Sequence, residues 1–121
     1  MTILLIRHGS AGDPYRWSGD DADRPLDAAG TDQATCLADH VDGLLAGRPL
    51  TGIRSSRAVR CLQTVGPTAG RHGLLPETDP SLFEGASSAM TELVRGYAEA
   101  EDADRRVVVL CSHSDVIPDV I

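Results

Sequence analysis

Lysine is absent from this chain; all 11 basic residues are arginine. A P-loop depends on its lysine to hold phosphates, so that route to nucleotide binding is excluded. Basic residues are also outnumbered, 11 against 18 acidic, for a net charge of −7. Binders of nucleic acid or anionic membranes carry a positive footprint, so neither partner is expected. Aromatic residues are scarce. Tyr15, Trp17, Phe83 and Tyr97 are the full set, so the core must be built from Leu, Val, Ile and Ala. No apolar run approaches membrane-spanning length, and residues 3–6 are stopped by Arg7 too early for a secretory leader. The expected location is the cytoplasm. The cysteines, Cys36, Cys61 and Cys111, are widely spaced, and no C-x-x-C occurs, so zinc and thioredoxin-like readings fail. None is followed six positions later by Arg, which excludes the thiol-phosphatase pattern. They read as small hydrophobes in a reducing compartment.

What is present suits one globular domain of 121 residues. Thr2-Ile3-Leu4-Leu5-Ile6 reads as a strand buried on both faces. Residues 9–25 form a long loop, a length that usually signals function. Ala34, Leu37, Ala38, Val41, Leu44 and Leu45 make the apolar stripe of a helix from near Asp27 to Gly47. Residues 50–53 suggest a short strand. A second helix is expected from Ala58 to Val65, broken or kinked by Gly66-Pro67. Met90, Leu93, Val94, Tyr97 and Ala98 give a third stripe, with Ser87 or Ser88 as N-cap. Val107 to Cys111 is the clearest buried strand, and a further helix is expected after Ser114. Strands alternating with helices define an α/β class with a mostly parallel sheet.

In open α/β sheets, ligands bind beyond the carboxyl ends of the strands. Arg7-His8-Gly9-Ser10 follows the first strand. Arg54-Ser55-Ser56-Arg57 and Arg60 follow the second, and Ser112-His113-Ser114-Asp115 the last. Parallel strands bring these histidines and arginines to one edge. Guanidinium forks match phosphate oxygens, and a neutral imidazole is a competent nucleophile. A lone strand-end His is more often structural and a lone Arg a solvated charge; the coincidence of two such histidines with Arg7 favours phosphoryl chemistry.

Arg7-His8-Gly9 after an apolar strand resembles the Arg-His-Gly motif of the histidine phosphatase superfamily, also called phosphoglycerate-mutase-like. Three further blocks follow in order. Ser55-Ser56-Arg57-Ala58-Val59-Arg60-Cys61-Leu62-Gln63-Thr64 resembles the Ser-Ser-x-x-x-Arg-Ala-x-Gln-Thr block. Leu82-Phe83-Glu84 is similar to Leu-x-Glu, and Ser112-His113-Ser114 to Ser-His-Gly. Arg24-Pro25-Leu26-Asp27-Ala28-Ala29-Gly30 resembles the small SixA-type branch. Gly19-Asp20-Asp21 and Val116-Ile117-Pro118-Asp119 look most like the phosphatase domain of mycobacterial MutT-type Nudix fusion proteins, and no Nudix domain is expected within these 121 residues.

The resemblance implies a three-layer α/β/α sandwich and a metal-independent phosphatase without cofactors. His8 would be the nucleophile, carrying a phosphohistidine intermediate. Arg7, Arg60 and His113 would hold the phosphoryl oxygens, and Glu84 would protonate the leaving group. Cys61-x-Gln63-Thr64 sets the register that aligns Arg60, not Arg57, with the family's arginine. Arg57 is then an extra phosphate or substrate contact, or a solvated charge. Ser114 replaces the usual Gly, and the family's remaining helix and last strand are expected to be missing after Ile121. The substrate is a phosphorylated small molecule or a phosphohistidine protein; the alternative is a non-catalytic phosphate-binding module of the same fold. Asp13, Asp20, Asp21, Asp23 and Asp27 read as a solvated acidic loop at the pocket mouth, without metal-ligand spacing. His40 and His72 read as surface residues.

Overall fold

The computed structural model describes residues 2–99 and 106–113. The helix expected after Ser114, and the Val116-Ile117-Pro118-Asp119 block, lie outside them. Four strands, β1 (Thr2–Arg7), β2 (Gly52–Ser55), β3 (Glu77–Thr78) and β4 (Val107–Ser112), form one sheet in the order β1-β4-β2-β3. Every neighbouring pair is parallel. Three helices alternate with them: α1 (Ala28–Leu45), α2 (Val59–His72) and α3 (Ser87–Glu99).

β4 is buried along its whole length because it has strands on both sides and helices on both faces. Side chains alternate across a strand. Val107, Val109 and Cys111 meet Val41 and Leu45 of α1 and Cys61 and Val65 of α2 in one cluster. Val108 and Leu110 meet Met90 and Tyr97 of α3, with Leu82, in the other. This is the expected three-layer arrangement. No described helix is long and apolar enough to cross a membrane.

Three expectations need correction. β1 contributes Leu4 and Ile6 to one cluster and Ile3 and Leu5 to the other, yet these residues are only half-buried. It is the outer strand of the described sheet, so one flank lacks a covering neighbour. The second helix does not stop at Gly66-Pro67; α2 runs on to His72, with Pro67 inside it and Gly73 closing it at φ 63°. An interior proline costs about 3 kcal/mol. Here Thr68 and Ala69, just past it, are buried against the core, and that packing outweighs the missing N–H. Ser87 is the first helical residue of α3 and not its cap; the Met90 N–H donates to the Ala86 carbonyl.

Asp27 caps α1 by accepting from the Gly30 N–H at 2.8 Å. Gly30 is required there for a second reason. A Cβ at this position would collide with the Ser10 carbonyl oxygen and lie 2.9 Å from the Ser10 carbonyl carbon. That carbonyl accepts the Asp27 N–H at 3.0 Å, so it cannot retreat freely. Gly30→Ala is therefore expected to destabilise the fold by about 1–3 kcal/mol, the usual range for overpacking. Gly43, in the same helix, has open space around its Cα. Gly43→Ala should be neutral or stabilising by up to about 1 kcal/mol. Thermal melts of the two variants check the contrast; equal melting temperatures would remove the close approach as the reason for Gly30.

Candidate active site

The three longer strands end at the same edge. Arg7 pairs in register with Ser112, and Ser55 with Cys111. The His8 N–H donates to the Ser112 carbonyl at 3.2 Å, and the Ser56 N–H to the Cys111 carbonyl at 3.0 Å. Register alone thus places His8, Ser56 and His113 side by side. Around them opens a pocket of about 780 Å³ whose lining includes Arg7, His8, Arg24, Arg60, Glu84 and His113.

His8 is half-buried. Its Nδ1 lies 2.8 Å from the Gly9 carbonyl oxygen. A carbonyl only accepts, so Nδ1 carries the proton and Nε2 is left with its lone pair. Burial lowers the His8 pKa below the ordinary 6.5, with the Arg60 and His113 charges adding and the Gly9 bond opposing. The imidazole is therefore held neutral with a defined tautomer.

The His113 ring meets the His8 ring edge-on, with centroids 5.4 Å apart. Its Nε2 lies 2.9 Å from the Ser56 hydroxyl and 3.7 Å from the Cys61 sulfur. Ser56 Oγ also accepts the Ala58 N–H at 3.2 Å, just before α2 begins. A hydrogen bond with Cys111 lowers the Cys61 thiol pKa and raises that of Cys111; His113 adds to the first effect and burial to the second.

Arg60, in the first turn of α2, is 1% exposed. Its terminal nitrogens donate to the Asp21 carbonyl oxygen at 2.7 Å, to the Asp21 carboxylate at 3.1 Å, and to Glu84. A buried guanidinium without such acids would cost several kcal/mol. Glu84 Oε1 also lies 3.3 Å from His113 Nδ1, off the axis of a hydrogen bond. Arg60 Nε and His113 Nδ1 consequently have no hydrogen-bond partner among the described residues, although both are buried.

Arg7, Arg60, Glu84, His8 and His113 are thus brought to one pocket, while Arg57 is not in its lining. The Arg57 guanidinium lies over the Phe83 ring, 4.1 Å from its centre. Several pocket-shaping residues were missed from sequence. Thr64 Oγ1 accepts the Gly9 N–H at 3.0 Å and donates to the Arg60 carbonyl at 2.6 Å, tying the two motif segments together. Gln33 accepts the Ser10 N–H, and Gln63 the Leu26 N–H, both at 2.8 Å. Arg24 donates to the Ala11 and Gly12 carbonyls. Thr64, Gln63 and Arg24 stand inside the quoted motifs; Gln33 had no local signal.

The acidic loop is not simply solvated. Asp21 binds Arg60 and Arg24, and the Arg24 hydrogen bond, followed by burial opposing it and the Arg60 charge, sets its carboxyl below the ordinary range. Asp27 accepts from the Ser10 hydroxyl at 2.6 Å and the Gly12 N–H at 3.2 Å besides capping α1. Asp20 and Asp13 accept the Ala22 and Tyr15 N–H groups. His72 is also engaged, 2.7 Å from Asp42, while Arg71 bridges Asp39 and Asp42; together they clamp α2 to α1. His40 is exposed, and so is Cys36, unlike the buried Cys61 and Cys111. Among the described residues, no group of three or more His, Cys, Asp or Glu is placed to hold a metal ion.

The chain is thus an α/β sandwich with two strand-end histidines and arginines at one pocket. The model of the histidine phosphatase superfamily (branch 1) matches residues 3–93, and the chain belongs to that superfamily. It is 37% identical over 120 residues to the 8-oxo-(d)GTP phosphatase of Mycolicibacterium smegmatis, a match covering 99% of this chain and 36% of that protein. The chain thus spans about a third of that relative's length. The protein histidine phosphatase SixA complexed with tungstate superposes with a TM-score of 0.77 at 23% identity, over 99% of this chain and 74% of that one. A mycobacterial glucosyl-3-phosphoglycerate phosphatase with VO3 gives 0.73 at 20%, over 98% of this chain and 78% of that one. At these identities the two structures speak for the fold.

Proposed function

We propose that residues 1–121 form one phosphatase domain that hydrolyses a phosphomonoester or a protein phosphohistidine through a phosphohistidine on His8. One observation carries the reading. A neutral imidazole with its lone pair on Nε2 shares a pocket with two buried donor residues, Arg60 and His113, each with a nitrogen unpartnered among the described residues. Unpaired buried donors are costly, and an oxyanion relieves both.

The chemistry follows from the atoms. His8 Nε2 attacks phosphorus as the bond to the leaving atom breaks, an oxygen in a phosphomonoester or a ring nitrogen in a phosphohistidine, and Glu84 gives that atom its proton. Nδ1–H keeps donating to the Gly9 carbonyl, which supports the positive charge that develops on the ring. Arg7, Arg60 and His113 hold the three phosphoryl oxygens. The Ser56 hydroxyl faces His113 Nε2, which leaves Nδ1–H for the phosphoryl group. Water then attacks phosphorus, Glu84 takes its proton, and the N–P bond breaks to restore neutral His8. The relative named for 8-oxo-(d)GTP brings nucleotides into the substrate class, and SixA brings phosphohistidine.

With arginines supplying the positive charge a metal would otherwise provide, hydrolysis of a nitrophenyl phosphate should proceed unchanged in EDTA and be inhibited by tungstate. Loss of activity in EDTA with recovery on adding Mg²⁺ would contradict the scheme. A second consequence concerns pH. An NMR titration of the His8 ring should give a midpoint below 6.5. The unfolded chain protonates this histidine first, so folding stability should also fall as pH drops below about 6.5. A midpoint at or above 6.5 would contradict the effect of burial on this ring.

A further inference from the structure

Glu84 lines two cavities. One is the pocket it shares with His8; the other, of about 270 Å³, lies between Arg57, Pro80, Phe83 and Ala86. We propose that this second cavity receives the leaving group, and that Arg57 selects leaving groups carrying a negative charge beside a flat apolar body. The proposal rests on the phosphoryl-transfer reading above and adds a place and a chemical class to it.

In-line displacement puts the attacking and leaving atoms on opposite sides of phosphorus. His8 lines only the first cavity. A residue that protonates the leaving oxygen has to stand beside it, and Glu84 is the one lining residue the two cavities share. The remainder of the substrate therefore passes Glu84 into the second cavity.

The character of that cavity comes from Phe83 and Arg57. The Phe83 ring meets His113 edge-on, centroids 5.7 Å apart, so its position is tied to the phosphoryl pocket. Arg57 stacks on the same ring, which leaves the N–H donors at the guanidinium edge available to an anion. The neighbouring acids do not neutralise it. Asp79 is held by Arg54 at 3.0 Å, and Glu77 lies 3.7 Å from the same arginine. A cation over an aromatic floor fits an anionic group on a planar body. A nucleoside phosphate is of this class; an uncharged alcohol is not.

The test compares phenyl phosphate with carboxyphenyl phosphate on wild type, Arg57→Ala and Arg57→Lys. Arg57→Ala should lower kcat/KM for the carboxyphenyl ester about five- to tenfold, chiefly through KM, and leave phenyl phosphate within about twofold. Arg57→Lys should recover part of the preference. Equal losses on both esters, or no loss on either, would overturn the subsite. A wild type that hydrolyses neither ester would overturn the phosphoryl-transfer reading itself.

Discussion

Replacing His8 with alanine should lower kcat/KM for nitrophenyl phosphate by about 10⁴-fold or more, the scale seen when a covalent nucleophile is removed. The fold should survive. His8 is half-buried, and among the described residues its side-chain hydrogen bond runs to the adjacent Gly9 carbonyl. The loop after it is pinned independently, by Thr64 to Gly9 and by Gln33 to Ser10. Melting temperature and tungstate binding should therefore stay close to wild type while turnover disappears. Turnover near the wild-type level in this variant would end the case for His8 as nucleophile.

Glu84→Gln should separate substrates by their leaving groups. An alkyl phosphate leaves as a poor alkoxide and needs a proton, whereas a nitrophenolate leaves without one. General-acid assistance is typically worth about 10²–10⁴-fold. The variant should lose that much on an alkyl phosphate and less than about tenfold on nitrophenyl phosphate. Glutamine is the informative choice because its side-chain oxygen can still accept from Arg60, so the buried guanidinium keeps an acceptor at position 84 besides its two on Asp21. Equal losses on the two esters would assign Glu84 to positioning Arg60 rather than to proton transfer.

Periodicity and punctuation carried most of the fold. The apolar run at 107–111 and the stripe from Ala34 to Leu45 are local patterns, and the Asp27 cap is a local hydrogen bond, so these elements could be read directly. α2 was cut short because Gly66-Pro67 is a local break signal. What keeps the helix going is burial of Thr68 and Ala69, the latter in a cluster with Val41, Ile53 and Val107, which no window of sequence contains. The pocket divides the same way. Strand-end placement of His8, Ser56 and His113 follows from parallel order, whereas Asp21 on Arg60 is a contact 39 residues apart along the chain. An acidic loop next to a buried arginine reads as solvated until the arginine is placed. Arg57 stands just before α2 and Arg60 in its first turn, three positions apart, yet only Arg60 enters the pocket. The family motif, not the helical spacing, distinguished them.

The phosphoenzyme itself is the most direct measurement. Wild-type protein mixed briefly with a ³²P-labelled phosphate donor, then quenched and mapped, should carry label on His8. Phosphohistidine is stable in alkali and lost in acid, and His8→Ala should take up none. Label that resists acid, sits on a serine such as Ser10, or persists in His8→Ala would contradict the account.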